Sequence, residues 1–329
     1  MLHRIRACAA TKTGIFAGVV RPTVKLCLAA VAMAALLPAA PSYADGVAFV
    51  SVTGSGHACT VAQPCGDIAD AYSTAVTAAA GSGVARVLCL TPVPSPPNIG
   101  GNNVSNNVAF EVNCPQGYTT SFAVFGSNTF GTLRGVTFVN SGNATAIQYI
   151  GSGTLILEDC AFTDQTNAAL DIEPTGPLNL IIRNSRISNS GGGILLKPGT
   201  GGSIKATFDH VVITGNQGGG IKTDSTNGVV NLDLTNSEIS NNTANGINAI
   251  GGAGGQNIVS IKNSVIARNG AAGVQAEGAN AGVLIATTLL DQNTAGATLV
   301  MSGGNMFSYD NNAVIGPLGS GFTNVAPLQ

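Results

Sequence analysis

Hydrophobic positions along this chain recur in a fixed template. Leu180, Ile182 and Ile187 mark it first, within Leu180-Ile181-Ile182-Arg183-Asn184-Ser185-Arg186-Ile187-Ser188-Asn189. The same text returns at Leu232–Asn241 and Val259–Arg268. Counting from Ile187 as an anchor, the equivalent residues are Phe138, Phe162, Ile187, Ile213, Ile239, Ile266 and Leu290, at intervals of 24, 25, 26, 26, 27 and 24. A period in this range indicates stacked supersecondary units. Seven and five residues before each anchor the chain is mostly apolar, as in Leu155/Leu157, Leu180/Ile182 and Leu232/Leu234, the period-2 signature of a strand with one face inward. About eight residues after it a third short strand begins, with Ile147, Leu170, Ile194, Ile221, Ile247 and Val274 predicted to point inward. Three short strands per unit and no helical period predict one coil of a parallel β-helix, with coils about 4.8 Å apart. A leucine-rich repeat shares the period but requires a different spacing of its asparagine and a helix in each unit.

Upstream of the regular coils, Ala48–Val52 alternates as a first strand. Ile68, Tyr72, Ala75, Val76 and Ala79 then fall at helical spacing, with Pro64 near the start and Gly81 at the stop. This single amphipathic helix is placed to cap the open hydrophobic end of the solenoid. Val87–Leu90 and Phe110–Cys114 read as strands of the first coils, separated by a long irregular loop from Thr91 to Asn107.

Columns of equivalent residues bound the candidate chemistry. Three before the anchor stand Asp159, Asn184, His210, Asn236, Asn263 and Thr287, expected to stack as an asparagine ladder that satisfies inward turn groups, with His210 as a substitute member rather than a base. The next column, Cys160, Ser185, Val211, Ser237, Ser264 and Thr288, takes small residues, so Cys160 is expected to be a buried thiol and not a nucleophile. Glu158, Arg183, Asp209, Thr235 and Lys262 form an outer column in which opposite charges would pair. The outward side of the third strand differs, because Asp171, Glu173, Lys197, Lys222 and Asp224 fall on three neighbouring coils. Three carboxylates could hold Ca²⁺, and a lysine could abstract a proton beside a sugar carboxylate. Alternating sign on a solvated face accounts for the same residues. The short Gly/Ser-rich segments that follow this strand favour that reading, because they raise no walls around a ligand.

The N-terminus changes the charge picture. Arg4, Arg6, Lys12, Arg21 and Lys25 precede an apolar run from Leu26 to Leu37 and the small residues Ser42 and Ala44. Residues 1–44 therefore read as an export signal, its apolar run shorter than the ~20 residues a spanning helix needs, an uncleaved anchor being the other reading. The remainder, 45–329, is predicted as one β-helix domain: cap and first coils 45–131, regular coils 132–300, and a C-terminal coil and tail 301–329. It carries nine Lys and Arg against sixteen Asp and Glu, a net of −7. An acidic chain with no basic block does not suit nucleic acid. Export permits disulfides, and the spacing predicts Cys59–Cys65 around a five-residue loop and Cys89–Cys114 about one coil apart. With no Trp and 5% aromatics, a stacking platform for sugar rings is not expected.

On Val50-Ser51-Val52-Thr53-Gly54-Ser55-Gly56 followed by Cys59-Thr60 and Pro64-Cys65, on the N-S-x-I repeats, and on Ser308-Tyr309-Asp310-Asn311-Asn312, the chain resembles the right-handed parallel β-helix proteins of the pectate-lyase-like superfamily. The export signal implies a secreted, extracellular or periplasmic protein, and the resemblance a polysaccharide or cell-surface glycan as partner. The polygalacturonase-type N-T-D, paired aspartates, G-H-G and R-I-K are absent, and no arginine lies on the third-strand face. The expected function is accordingly a non-catalytic structural, adhesive or glycan-contacting role that needs no cofactor. The alternative is a calcium-dependent uronate lyase or epimerase with Lys197 and Lys222 as bases and Asp171, Glu173 and Asp224 as binding residues or calcium ligands.

Overall fold

The computed structural model describes residues 45–79, 83–91, 108–120, 123–125, 129–139, 144–309 and 311–325. The export signal at 1–44, nearly all of the loop expected from Thr91 to Asn107, the helix stop at Gly81, and Asp310 lie outside the described residues.

One coil shows how the sequence builds all of them. Pro177–Arg183 is extended, with Leu178, Leu180 and Ile182 buried and the residues between them turned outward. The chain turns at Asn184 (φ 48°), runs through the short strand Arg186–Ser188 with Ile187 buried, turns again at Asn189 (φ 56°) and enters Gly192–Leu196. It then rises to the next coil, where Pro177–Arg183 pairs in parallel with Ser203–Asp209 from Pro177↔Ser203 to Arg183↔Asp209. The anchors pair in one unbroken column from Phe138 to Leu290, and the column continues to Val314. Among the described residues the first two strands of each coil merge into a 19-stranded sheet, and the third strands form a separate sheet of eight. Ile147, Leu170, Ile194, Ile221, Ile247 and Val274 are buried, as their spacing predicts. Each large apolar side chain so enclosed contributes about 1.5–3 kcal/mol, and Phe138 and Phe162 stack at 4.9 Å on successive coils.

The turn columns depart from expectation. Asp159, Asn184, His210, Asn236, Asn263 and Thr287 are exposed, and every one is left-handed, with φ between 48° and 55°. They are not an inward ladder. Most of their N–H groups donate to backbone carbonyls of the next coil, as Asn184 N does to Asp209 O (3.1 Å) and Asn236 N to Lys262 O (3.2 Å), while Thr287 N donates to the side chain of Asn311 (2.9 Å) and Asn236 Nδ2 to Asp209 Oδ1 (2.8 Å). Asparagine recurs there because it tolerates left-handed φ at lower cost than branched residues. The amide ladder lies three residues after the anchor, at Asn216, Asn242, Asn269 and Asn293, all at most 2% exposed. Each Nδ2 donates to the next Oδ1 at 2.9, 3.0 and 2.9 Å, and that same oxygen accepts a backbone N–H from the preceding coil. The small-residue column is buried as expected. Ser185, Ser237 and Ser264 accept from the N–H of Cys160, Val211 and Ser237, and each donates to the carbonyl two residues earlier.

At the N-terminal end the helix α1 (Ile68–Ala78) covers the strands β1 (Gly46–Val50) and β2 (Val84–Cys89), burying Ile68, Ala71 and Ala75. It begins later than Pro64 suggests, because Asp67 caps it by accepting from Asp70 N at 2.8 Å. Gly46 permits the close approach, since a Cβ there would lie 1.8 Å from Ala75 O. Cys59–Cys65 and Cys89–Cys114 are both bonded, and Cys160 is free and buried. Outer charges alternate in sign, but the ion pairs form ahead of the expected column rather than within it: Glu158 closes on Arg134 and not on Arg183, and Asp209 on its neighbour His210. Asp45 pairs with Arg86, Arg86 with Glu111 (3.4 Å), Glu111 with Arg134 (3.3 Å) and Arg134 with Glu158 (2.7 Å). No helix of the described residues is long and apolar enough to cross a membrane.

Candidate functional site

The eight-stranded sheet presents its outward side chains in two rows. Register places Gln148, Asp171, Leu195, Lys222, Asn248 and Gln275 on successive coils of the first row. In the second, Glu173 and Lys197 form an ion pair at 3.7 Å, while Asp224, Ile250 and Glu277 follow in register. The five charged candidates of this face therefore separate into three environments.

Asp171, Glu173 and Lys197 form the first. Burial holds the Asp171 carboxyl above its usual range, Glu173 adds to the shift, and Lys197 opposes it. Asp171 Oδ1 is enclosed and accepts no hydrogen bond. Lys222 stands apart, exposed beside Leu195. Asp224 is only 8% exposed, and its Oδ1 takes both the N–H (3.0 Å) and the hydroxyl (2.6 Å) of Thr226, so it fastens its own turn. Among the described residues no three Asp, Glu, His or Cys side chains gather at metal-binding spacing. Neither residue set aside from the sequence acquires a role here. His210 is an exposed turn residue with Nδ1 3.0 Å from Asp209, and burial pushes the Cys160 thiol up to about 12, far from the thiolate a nucleophile needs.

Sequence reasoning missed a groove of about 370 Å³ at the entry to this sheet, lined among others by Asn167, Ala168, Gly192, Leu195, Gly219 and Lys222. Its origin is local. The turns that lead into the third strands stack backbone on backbone, and a Cβ at Gly191 or Gly193 would come within 2.1 Å of a carbonyl oxygen on the neighbouring coil. Glycine is required there, and the missing side chains leave a trough. The signal was legible in Gly191-Gly192-Gly193 and Gly218-Gly219-Gly220, before the strand rather than in the segments after it. A smaller hollow of about 260 Å³ lies on the larger sheet by Asn179, Lys205 and Asn231.

A family model described as the right handed beta helix region matches residues 122–227. The chain is a right-handed parallel β-helix. Nothing among the curated proteins matches it. Solved structures similar to this β-helix include the A-module of the Azotobacter vinelandii mannuronan C-5 epimerase AlgE6, at 14% identity over 79% of this chain and 91% of that one, TM-score 0.48. The A-module of the same organism's epimerase AlgE4 shows 14% identity over 79% and 93%, TM-score 0.46. The pectate lyase Pel9A shows 16% identity over 86% and 78%, TM-score 0.43.

Proposed function

We propose that this β-helix is an exported protein that contacts a glycan along its eight-stranded sheet without chemically altering it. The observation that carries the reading is the open groove beside Leu195 and Lys222, continuous with the first outward row, whose residues recur once per coil and are polar but for Leu195. A regular row of this kind suits an extended polymer whose hydroxyls also recur. Two disulfides fit an oxidising compartment. Gly192 supplies the test, because a Cβ there meets nothing nearer than 3.7 Å and a side chain would enter the groove without displacing backbone. Gly192→Leu is expected to weaken retention on a polysaccharide affinity gel about tenfold, or 1.4 kcal/mol, with Tm unchanged. Wild-type protein that no polysaccharide retards would sink the proposal.

The raised Asp171 carboxyl beside the Glu173–Lys197 pair favours a second reading, a calcium-dependent uronate lyase or epimerase. Lys197 or Lys222 would serve as base, and Asp171 and Glu173, which share one environment, would be the carboxylates at hand for a calcium ion, whereas Asp224 is taken up by Thr226. Unsaturated ends appearing in a uronate polymer only with calcium, and lost in Lys197→Ala or Lys222→Ala, would support it. A panel that stays silent with and without calcium removes it.

A further inference from the structure

The first outward row sets Asp171, Leu195, Lys222 and Asn248 on four consecutive coils, and its charges bear on what it can hold. Lys197 is paired with Glu173 in the neighbouring row, so it adds no net positive charge. Lys222 makes no ion pair among the described residues and is the one ammonium facing the groove, whereas Asp171 keeps a carboxyl two coils away. Asp171 Oδ1 and Asn248 Oδ1 are enclosed and lack a donor, so they lie out of a ligand's reach, and Asp171 bears on the row through its charge. A polymer bearing a carboxylate on each unit brings further negative charge. Whatever it gained at Lys222 it would lose against Asp171, and the net of −7 on residues 45–329 would oppose its approach. Sugar hydroxyls both donate and accept, and so serve a row that mixes one carboxyl, one ammonium and an amide. Leu195, between the two charges, suits the C–H face of a ring.

Resting on the glycan-contact reading, we infer that the ligand of this face is a neutral, hydroxyl-rich polysaccharide lying across Asp171, Leu195, Lys222 and Asn248, and that polyuronates are excluded. Affinity gel electrophoresis of the purified protein tests this with a neutral glucan, a neutral galactomannan, polygalacturonate and alginate in separate gels, at low and at raised salt. A neutral polymer is expected to retard the protein at both salt concentrations, with at least about tenfold preference over either polyuronate. Asp171→Lys is expected to gain retention by polyuronate at low salt and to lose it as salt rises. Preferential or equal retention by polyuronates overturns this inference and leaves the glycan-contact reading intact, and so does an Asp171→Lys variant that gains nothing. Retention by no polymer overturns both.

Discussion

Asn236 and Asn242 lie six residues apart in one coil and do different work. Asn236 is exposed at φ 50°, where the need is a residue that accepts left-handed backbone, and its one side-chain bond, from Nδ2 to Asp209 Oδ1 (2.8 Å), is exposed. Asn242 is buried and serves the side chain and N–H of Asn216, the carbonyl of Ile213 and the amide of Asn269. Asn236→Gly is therefore expected to change stability by less than about 1 kcal/mol. Asn242→Ala, which orphans several buried groups, should cost about 2–4 kcal/mol. Denaturant midpoints of the two variants compare them directly, and equal losses would contradict the assignment of the columns. Cys160 belongs to the hydroxyl column, and its Sγ already lies near the carbonyls of Leu133 (3.5 Å) and Glu158 (3.4 Å). Cys160→Ser should stay within about 1 kcal/mol of the parent. In the unmodified protein the thiol, held protonated by burial, should resist alkylation at pH 8 until the chain is unfolded.

Elements differ in how far the sequence exposed them. Strand positions were legible because burial alternates with period 2 and each coil repeats it, so six units carry the same message. The helix was legible from spacing, but its first turn was not, because a cap is decided by one side chain: Asp67 accepts from Asp70 N, and Pro64 is outside the helix. Asp67→Ala should cost about 1 kcal/mol, and more if its loss frays the turn that holds Ile68 against the first coil. A thermal melt followed by circular dichroism would show the change. The groove went unread for a related reason. Glycine runs register in a sequence as turns, and only stacked coils show that three consecutive turns line up into a trough.

Across the whole molecule, charge is arranged in lines rather than clusters, and its response to pH follows from the direction of each shift. Asp45 is held below its ordinary value of 3.8, first by the Val84 N–H and also by Arg86. Asp209 is held low chiefly by Asn236, with His210 and Thr235 assisting. The stability these groups contribute is present above the ordinary aspartate range and is lost as pH falls through their lowered folded values. Asp171 runs the other way. Its folded pKa is raised, so its ionised form is a cost at neutral pH that is relieved as pH falls through that value. Asp171→Asn is thus expected to raise Tm at pH 7, with the gain shrinking as pH falls through the raised value and gone below the ordinary aspartate range, as scanning calorimetry would show. By itself the sequence determined the coil, its period, the inward residues, the cap and the disulfide pairs, because burial periodicity and residue spacing are properties of one dimension. Tertiary structure decided which asparagines stack, which carboxylates share an environment and where a groove opens. Those depend on backbone handedness and on which coil lies above which, and residues about 25 apart in the chain become neighbours about 4.8 Å apart only once the coils are stacked.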